Sequence, residues 1–139
     1  MKMSSLRMQL PAILVASLIM VACACNSPSG KPRPVEVWRG GDDALTGRLK
    51  NTLESAFESS PDFALSRGKK PGTLMVMIPT HVKSQQVGGR TQVLYTAEFA
   101  TTDDQRIGAS TGSCWDDALM TCASQIIKDA KVAARKIRQ

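Results

Sequence analysis

Thr73-Leu74-Met75-Val76-Met77-Ile78-Pro79 is the most apolar short run in the second half of the chain. Leu74, Val76 and Ile78 share one side of an extended strand and Met75 and Met77 the other, so both faces are apolar and the strand belongs in the middle of a sheet. Pro79 ends it, because proline has no amide hydrogen to give the ladder. A sheet with a strand buried on both faces must carry at least one covering layer, and the flanking sequence supplies two helical patterns to make it.

Downstream, Thr80 to Arg90 holds His81, Lys83, Gly88-Gly89 and Arg90 and reads as a long exposed hairpin loop, a candidate interaction loop. Val93, Tyr95, Ala97 and Phe99 then alternate with Gln92, Thr96 and Glu98, the period of a half-buried strand. Thr101-Thr102-Asp103-Asp104 is a turn, and Arg106 to Thr111 a return strand with Ile107 and Ala109 facing in. Ser113, three residues before Asp116, resembles a capping box. From there Trp115, Leu119, Cys122, Ile126, Ala130, Ala133 and Ile137 form one stripe at helical spacing, predicting a terminal helix of about 23 residues. Asp116 and Asp117 at its start and Lys128, Lys131, Arg135, Lys136 and Arg138 toward its end oppose the helix dipole at both termini.

Upstream, Arg67 to Gly72 is a basic turn and Phe63 to Ser66 a short strand. Asp42 to Glu58 predicts an amphipathic helix, with Leu45, Leu49, Leu53 and Ala56/Phe57 on one face and Asp42-Asp43 at its positive end. Gly47 inside it costs ~1 kcal/mol relative to alanine, which suits close packing. Val35-Glu36-Val37-Trp38, closed by Gly40-Gly41, is the first strand. The expected fold is α+β: one antiparallel-rich sheet of about five strands with two helices on one face, in the order β-α-β-β-β-β-α, over a single domain from residue 35 to 139.

The first 25 residues address the protein. Lys2 and Arg7 precede an apolar run from Leu10 to Val21, about 12 residues against the roughly 20 needed to span a bilayer, so it reads as a signal-peptide core. It ends in Met20-Val21-Ala22-Cys23-Ala24-Cys25, which resembles the lipobox of bacterial lipoproteins. The resemblance implies a signal peptide over 1–22 and lipidation at Cys23, with Cys25 as the alternative. A soluble periplasmic product, cleaved at Ala22-Cys23-Ala24, is the other reading. With Ala24 or Asn26 rather than aspartate after the modified cysteine, the lipoprotein resemblance implies the periplasmic face of the outer membrane. Residues 23–34 form the lipidated N-terminus and a proline-, serine- and glycine-containing tether. At ~3.1 Å per residue in polyproline form, its nine residues from Asn26 to Pro34 reach ~30 Å at most, favouring a membrane-proximal partner.

The chain has 139 residues and a formal net charge of +6. Removing residues 1–22 takes Lys2 and Arg7 away and leaves about +4, a value that serves solubility and permits weak contact with anionic envelope polymers. The compartment excludes nucleic acid. One histidine, His81, and no nucleophile elbow argue against a catalytic triad. The acidic pairs Asp103-Asp104 and Asp116-Asp117 suit a turn and a helix start, and Gly88-Gly89-Arg90 lacks the spacing of a phosphate loop. No catalytic residue, metal or cofactor is expected.

Cys114 and Cys122 are the two cysteines of the domain. In an oxidising compartment such a pair usually bonds. Eight residues apart within one helix they would stand ~12 Å apart, beyond the ~7 Å limit between Cα atoms, so a bridge requires the regular helix to begin after Cys114, near Asp116 or Asp117. Two reduced thiols, or Cys114 pairing with another chain, remain open.

The element order is similar to that of the domain shared by peptidoglycan-synthase activator lipoproteins, the curli secretion channel lipoprotein and the N-terminal domain of the Tol translocation protein. That resemblance implies a non-enzymatic adaptor that binds another envelope protein. The alternative is an inhibitor or immunity protein against a hydrolase or toxin, with the His81 to Arg90 loop as its wedge.

Overall fold

The structure, a computed structural model, describes residues 30–137. The expected signal peptide, Cys23, Cys25 and all but the last residues of the tether lie outside that range. The elements are β1 (Arg33–Arg39), α1 (Ala44–Glu58), β2 (Phe63–Leu65), β3 (Leu74–Ile78), β4 (Lys83–Val87), β5 (Arg90–Ala100), β6 (Arg106–Trp115) and α2 (Leu119–Ala134). The class is α+β, with a six-stranded mixed sheet.

β1 lies between β2 and β3 and runs parallel to both. The chain leaves β1, crosses over through α1 and returns in β2, and α1 packs on β1, β2 and α2. β3 is antiparallel to β5 through Met75 to Met77, and β6 pairs with the other edge of β5 from Gln92 to Ala100. Both helices cover the face that carries Val35, Val37, Leu74, Val76, Ile78, Val93, Tyr95, Ala97 and Phe99, all buried in one cluster with Leu49, Leu53, Phe57, Cys122, Ile126 and Ala130. Phe57 and Phe63 meet edge to face with centroids 5.0 Å apart, tying the end of α1 to β2. The opposite face of the sheet carries no helix. Met75 is nevertheless 3% exposed, consistent with its position in a central strand.

Three expectations need correction. Thr80 to Arg90 is not a long loop: Lys83–Val87 is a strand paired with Arg90 to Leu94, and only Gly88 and Gly89 turn between them. β4 escaped notice because every one of its side chains is exposed, so it has no alternation to read. The terminal helix does not begin at Ser113. Ser113, Cys114 and Trp115 belong to β6, and α2 starts at Leu119 behind Ala118, which makes no side-chain cap. α2 is therefore 16 residues long, and Trp115 is not part of its stripe. Finally, Ala109 faces out, while Ser110 and Cys114 face in. A register shift at Phe99/Ala100 exchanges the faces of β6 there.

Candidate interaction surface

β3 and β4 occupy successive lengths of the same β5 edge. β3 pairs with Glu98 to Ala100 and β4 with Arg90 to Leu94. Between the ladders, residues 78–82 stand against 95–97, an excess of two, so the chain bulges where Pro79 cannot donate. The bulge leans on the start of α1. Asp43 caps that helix by accepting from the Thr46 N–H at 3.0 Å and the Thr46 hydroxyl at 2.6 Å. The fully buried Thr46 Oγ1 in turn accepts from the Val82 N–H at 3.0 Å. His81 Nδ1 closes the clip on the same Asp43 carboxylate, and its Nε2 is 3.9 Å from Asp42.

The electrostatics follow from those contacts. The Thr46 hydroxyl and then His81 hold the Asp43 carboxyl well below the usual carboxylate range. The hydrogen bond to Asp43, followed by its charge, raises His81 above the ordinary imidazole value.

From this base the β4–β5 hairpin projects. Gly88 and Gly89 have φ of 56° and 77°, the pair of positive values that a two-residue type I′ turn needs. Gln85 and Gln92 bond across the strands at 2.6 Å, and Gln86 and Thr91 at 2.7 Å. Arg90 lies over the Trp115 ring, 4.2 Å from its centroid, and reaches Asp117 at 3.1 Å. Trp115 is fixed in turn. The Asp116 N–H donates to the Thr91 carbonyl at 3.0 Å, and the Cys114–Cys122 disulfide, with Cα atoms 5.6 Å apart, pins β6 to the first turn of α2. The bridge forms because Cys114 is in a strand, which removes the helical separation that would have forbidden it.

The sheet carries two other features. On the helix-free face, Trp38, half exposed, joins Met75, Met77, Pro79 and the Lys69–Asp104 pair around a groove of ≈ 380 Å³. Beneath α2, the Ser110 hydroxyl donates to Asp129 at 2.6 Å and lies 3.3 Å from the Tyr95 hydroxyl. Burial raises the Tyr95 phenol above its usual value, and the nearby Asp129 charge adds to that. Gly112 lies opposite Tyr95 in the ladder, and a Cβ there would come within 2.8 Å of the phenol oxygen.

Of the residues singled out from sequence, His81, Lys83, Gly88, Gly89 and Arg90 all belong to one arm, with His81 at its docked base and the glycines at its tip. Cys114 and Cys122 meet. Sequence reading missed Asp43 and Thr46 as the anchor of His81, and Trp115 and Asp117 as the seat of Arg90. The Asn, Asp and Ser preference for helix caps was the available signal for Asp43. Among the described residues no three His, Cys, Asp or Glu side chains gather as a metal site, and no helix is long and apolar enough to cross a membrane.

No known family model matches the chain, and no curated protein matches it in sequence. Solved structures similar to it include a minor lipoprotein from Acinetobacter baumannii, at 12% identity and a TM-score of 0.48 over 76% of this chain and 95% of that one. The PelC dodecamer from Paraburkholderia phytofirmans aligns at 15% identity and a TM-score of 0.44, over 79% and 91%. A Xanthomonas campestris protein of family DUF330 aligns at 11% identity and 0.43, over 78% and 88%. At these identities and scores the likenesses carry no functional assignment.

Proposed function

We propose that this chain is a non-enzymatic lipoprotein of the bacterial cell envelope, anchored by acyl chains on Cys23, that binds a protein partner near its membrane through the β4–β5 hairpin. The hairpin carries the reading. It extends the sheet past the ends of β1 and β3 with every β4 side chain exposed, yet it is braced at its base by Asp43 and Thr46 and at its tip by Trp115 and Asp117. An arm ordered before it meets a ligand loses little conformational freedom on binding. The apolar N-terminal run and the lipobox-like cysteines support a periplasmic reading, a compartment in which the Cys114–Cys122 bridge is stable.

A photo-crosslinking amino acid at Gln86 in intact cells tests the arm. One dominant crosslinked protein, lost when Gly88-Gly89 is replaced by Ala-Ala, is the expected result, and an unchanged crosslink pattern overturns it. A hydrolase or toxin as that product would identify the protein as an inhibitor instead. The anchor is tested separately: Cys23→Ser should abolish incorporation of labelled palmitate, and persistence of the label moves the modification to Cys25.

A further inference from the structure

The long outer edge of β6 has no partner among the described residues. The two-residue turn makes Val87 and Arg90 a hydrogen-bonded pair, so even-numbered residues of β5 bond toward β4 and β3 and odd-numbered ones toward β6. Val93, Tyr95, Ala97 and Phe99 oppose Cys114, Gly112, Ser110 and Gly108. The intervening residues of β6 therefore aim their N–H and C=O groups outward. Lys136 Nζ donates to the outward carbonyl of Ile107 at 2.8 Å, and the Trp115 carbonyl accepts from the Ala118 N–H. Ala109, Thr111 and Ser113 remain, three consecutive open sites on one edge.

Sheet edges are normally blunted by charge, proline or brevity. Here β2 has three residues and runs into Arg67, Lys69, Lys70 and Pro71, and β4 has five and opens on Lys83. β6 has ten residues and no charge or proline from Ile107 to Trp115. The α2 flank beside it is turned toward the edge by the Asp129–Ser110 and Lys136–Ile107 bonds. A groove of ≈ 430 Å³ runs there between Gly112-Ser113 and Thr121, Ser124, Gln125 and Lys128. Val132, 56% exposed, follows Lys128 by one turn. Lys128 makes no ion pair with a described residue.

We infer that β6 accepts an extended, acidic segment of another protein as an added strand, its backbone pairing with Ala109, Thr111 and Ser113 and a carboxylate meeting Lys128. A two-fold pairing of two copies centred on Thr111 would use the same open groups, and the test below distinguishes it from a foreign strand. The inference rests on the partner-binding reading above and adds to it a second surface and the chemistry of its ligand.

The test uses the full chain in detergent and three synthetic peptides: an extended Val-Glu alternating hexapeptide, its Val-Lys counterpart, and the Val-Glu peptide N-methylated at every amide, which leaves neither edge a donor. The Val-Glu peptide should bind at least about tenfold more tightly than the other two and slow amide exchange at Ala109, Thr111 and Ser113. Thr111→Pro deletes an outward N–H and no ladder bond, so it should abolish binding with the melting temperature retained, while Thr111→Ala should still bind. Lys128→Glu should reverse the preference between the Glu and Lys peptides. If Thr111→Pro does not fold, the N-methylated peptide decides the point. Equal binding of the N-methylated peptide, equal binding of both charges, or no binding by any peptide at millimolar concentration overturns the inference. So does concentration-dependent protection of the three amides without peptide, which would identify a second copy. These failures would remove the β6 edge alone, whereas loss of the Gln86 crosslink bears on the hairpin.

Discussion

Gly40 N–H donates to the Ile78 carbonyl at 2.7 Å, and a Cβ on Gly40 would collide with the carbonyl oxygen of Pro79. Backbone cannot swing aside as a side-chain tip can, so Gly40→Ala should destabilise by about 1–3 kcal/mol in urea unfolding, the usual cost of forced overpacking. The same bulge carries the titratable clip. His81 is raised above its ordinary 6.5, so its contribution is fully present below about that pH and is lost as pH rises through the higher folded value. Asp43 is depressed below its ordinary 3.8, so its contribution holds above that value and is lost as pH falls toward the lower folded one. The melting difference between wild type and His81→Ala should therefore be largest near pH 5 to 6 and shrink toward pH 9. A difference independent of pH would assign His81 a packing role only. None of this was visible in sequence, because Asp43 and His81 are 38 positions apart and each has a sufficient local explanation, one as a helix-start charge and the other as a loop histidine.

Elements with a buried face were legible, and elements without one were not. Leu49, Leu53 and Phe57 on α1, Leu74, Met75, Val76 and Ile78 on β3, and Val93, Tyr95, Ala97 and Phe99 on β5 all announced themselves by period and are buried as expected. β4 has no buried side chain to set a period, and its existence rests on backbone pairing with β5. The end of β6 was lost for a different reason: Gly-Ala-Ser-Thr-Gly-Ser has neither bulk nor alternation, and the two aspartates after it imitate the start of a helix. Of the candidate site, the hairpin residues were found but its shape was not, since a loop and a two-residue turn share the same glycines. Those glycines can be tested. Gly88→Ala and Gly89→Ala should each cost about 1–2 kcal/mol, because both positions have positive φ. Asn at either should cost less, and chemical unfolding of the four variants would show the order.

Over the whole molecule, the Cys114–Cys122 bridge closes a short loop between β6 and α2. The chain-entropy argument assigns it about 2–3 kcal/mol, worth roughly 10 °C or more in melting temperature for a domain of this size. Both cysteines are buried, Cys114 at 7% exposure. Cys114→Ala with Cys122→Ala is thus the appropriate pair, and it should melt with the reduced wild type. Two free thiols per non-lipidated domain from unreduced periplasmic material would show the bridge absent. The in-line placement of β3 and β4 on β5 has a mechanical consequence as well. Arg33 opens β1 three residues before the level of Met75, and Met75 pairs with Ala100, ten residues along β5 from the turn. At ~3.3 Å per residue the point where the tether enters the fold and the hairpin tip are ~43 Å apart, at opposite ends of the same strands. A load between an anchored N-terminus and a partner on the hairpin would act along the strand axes. The β1–β3 and β3–β5 ladders would be sheared, all their hydrogen bonds strained together, rather than unzipped one at a time.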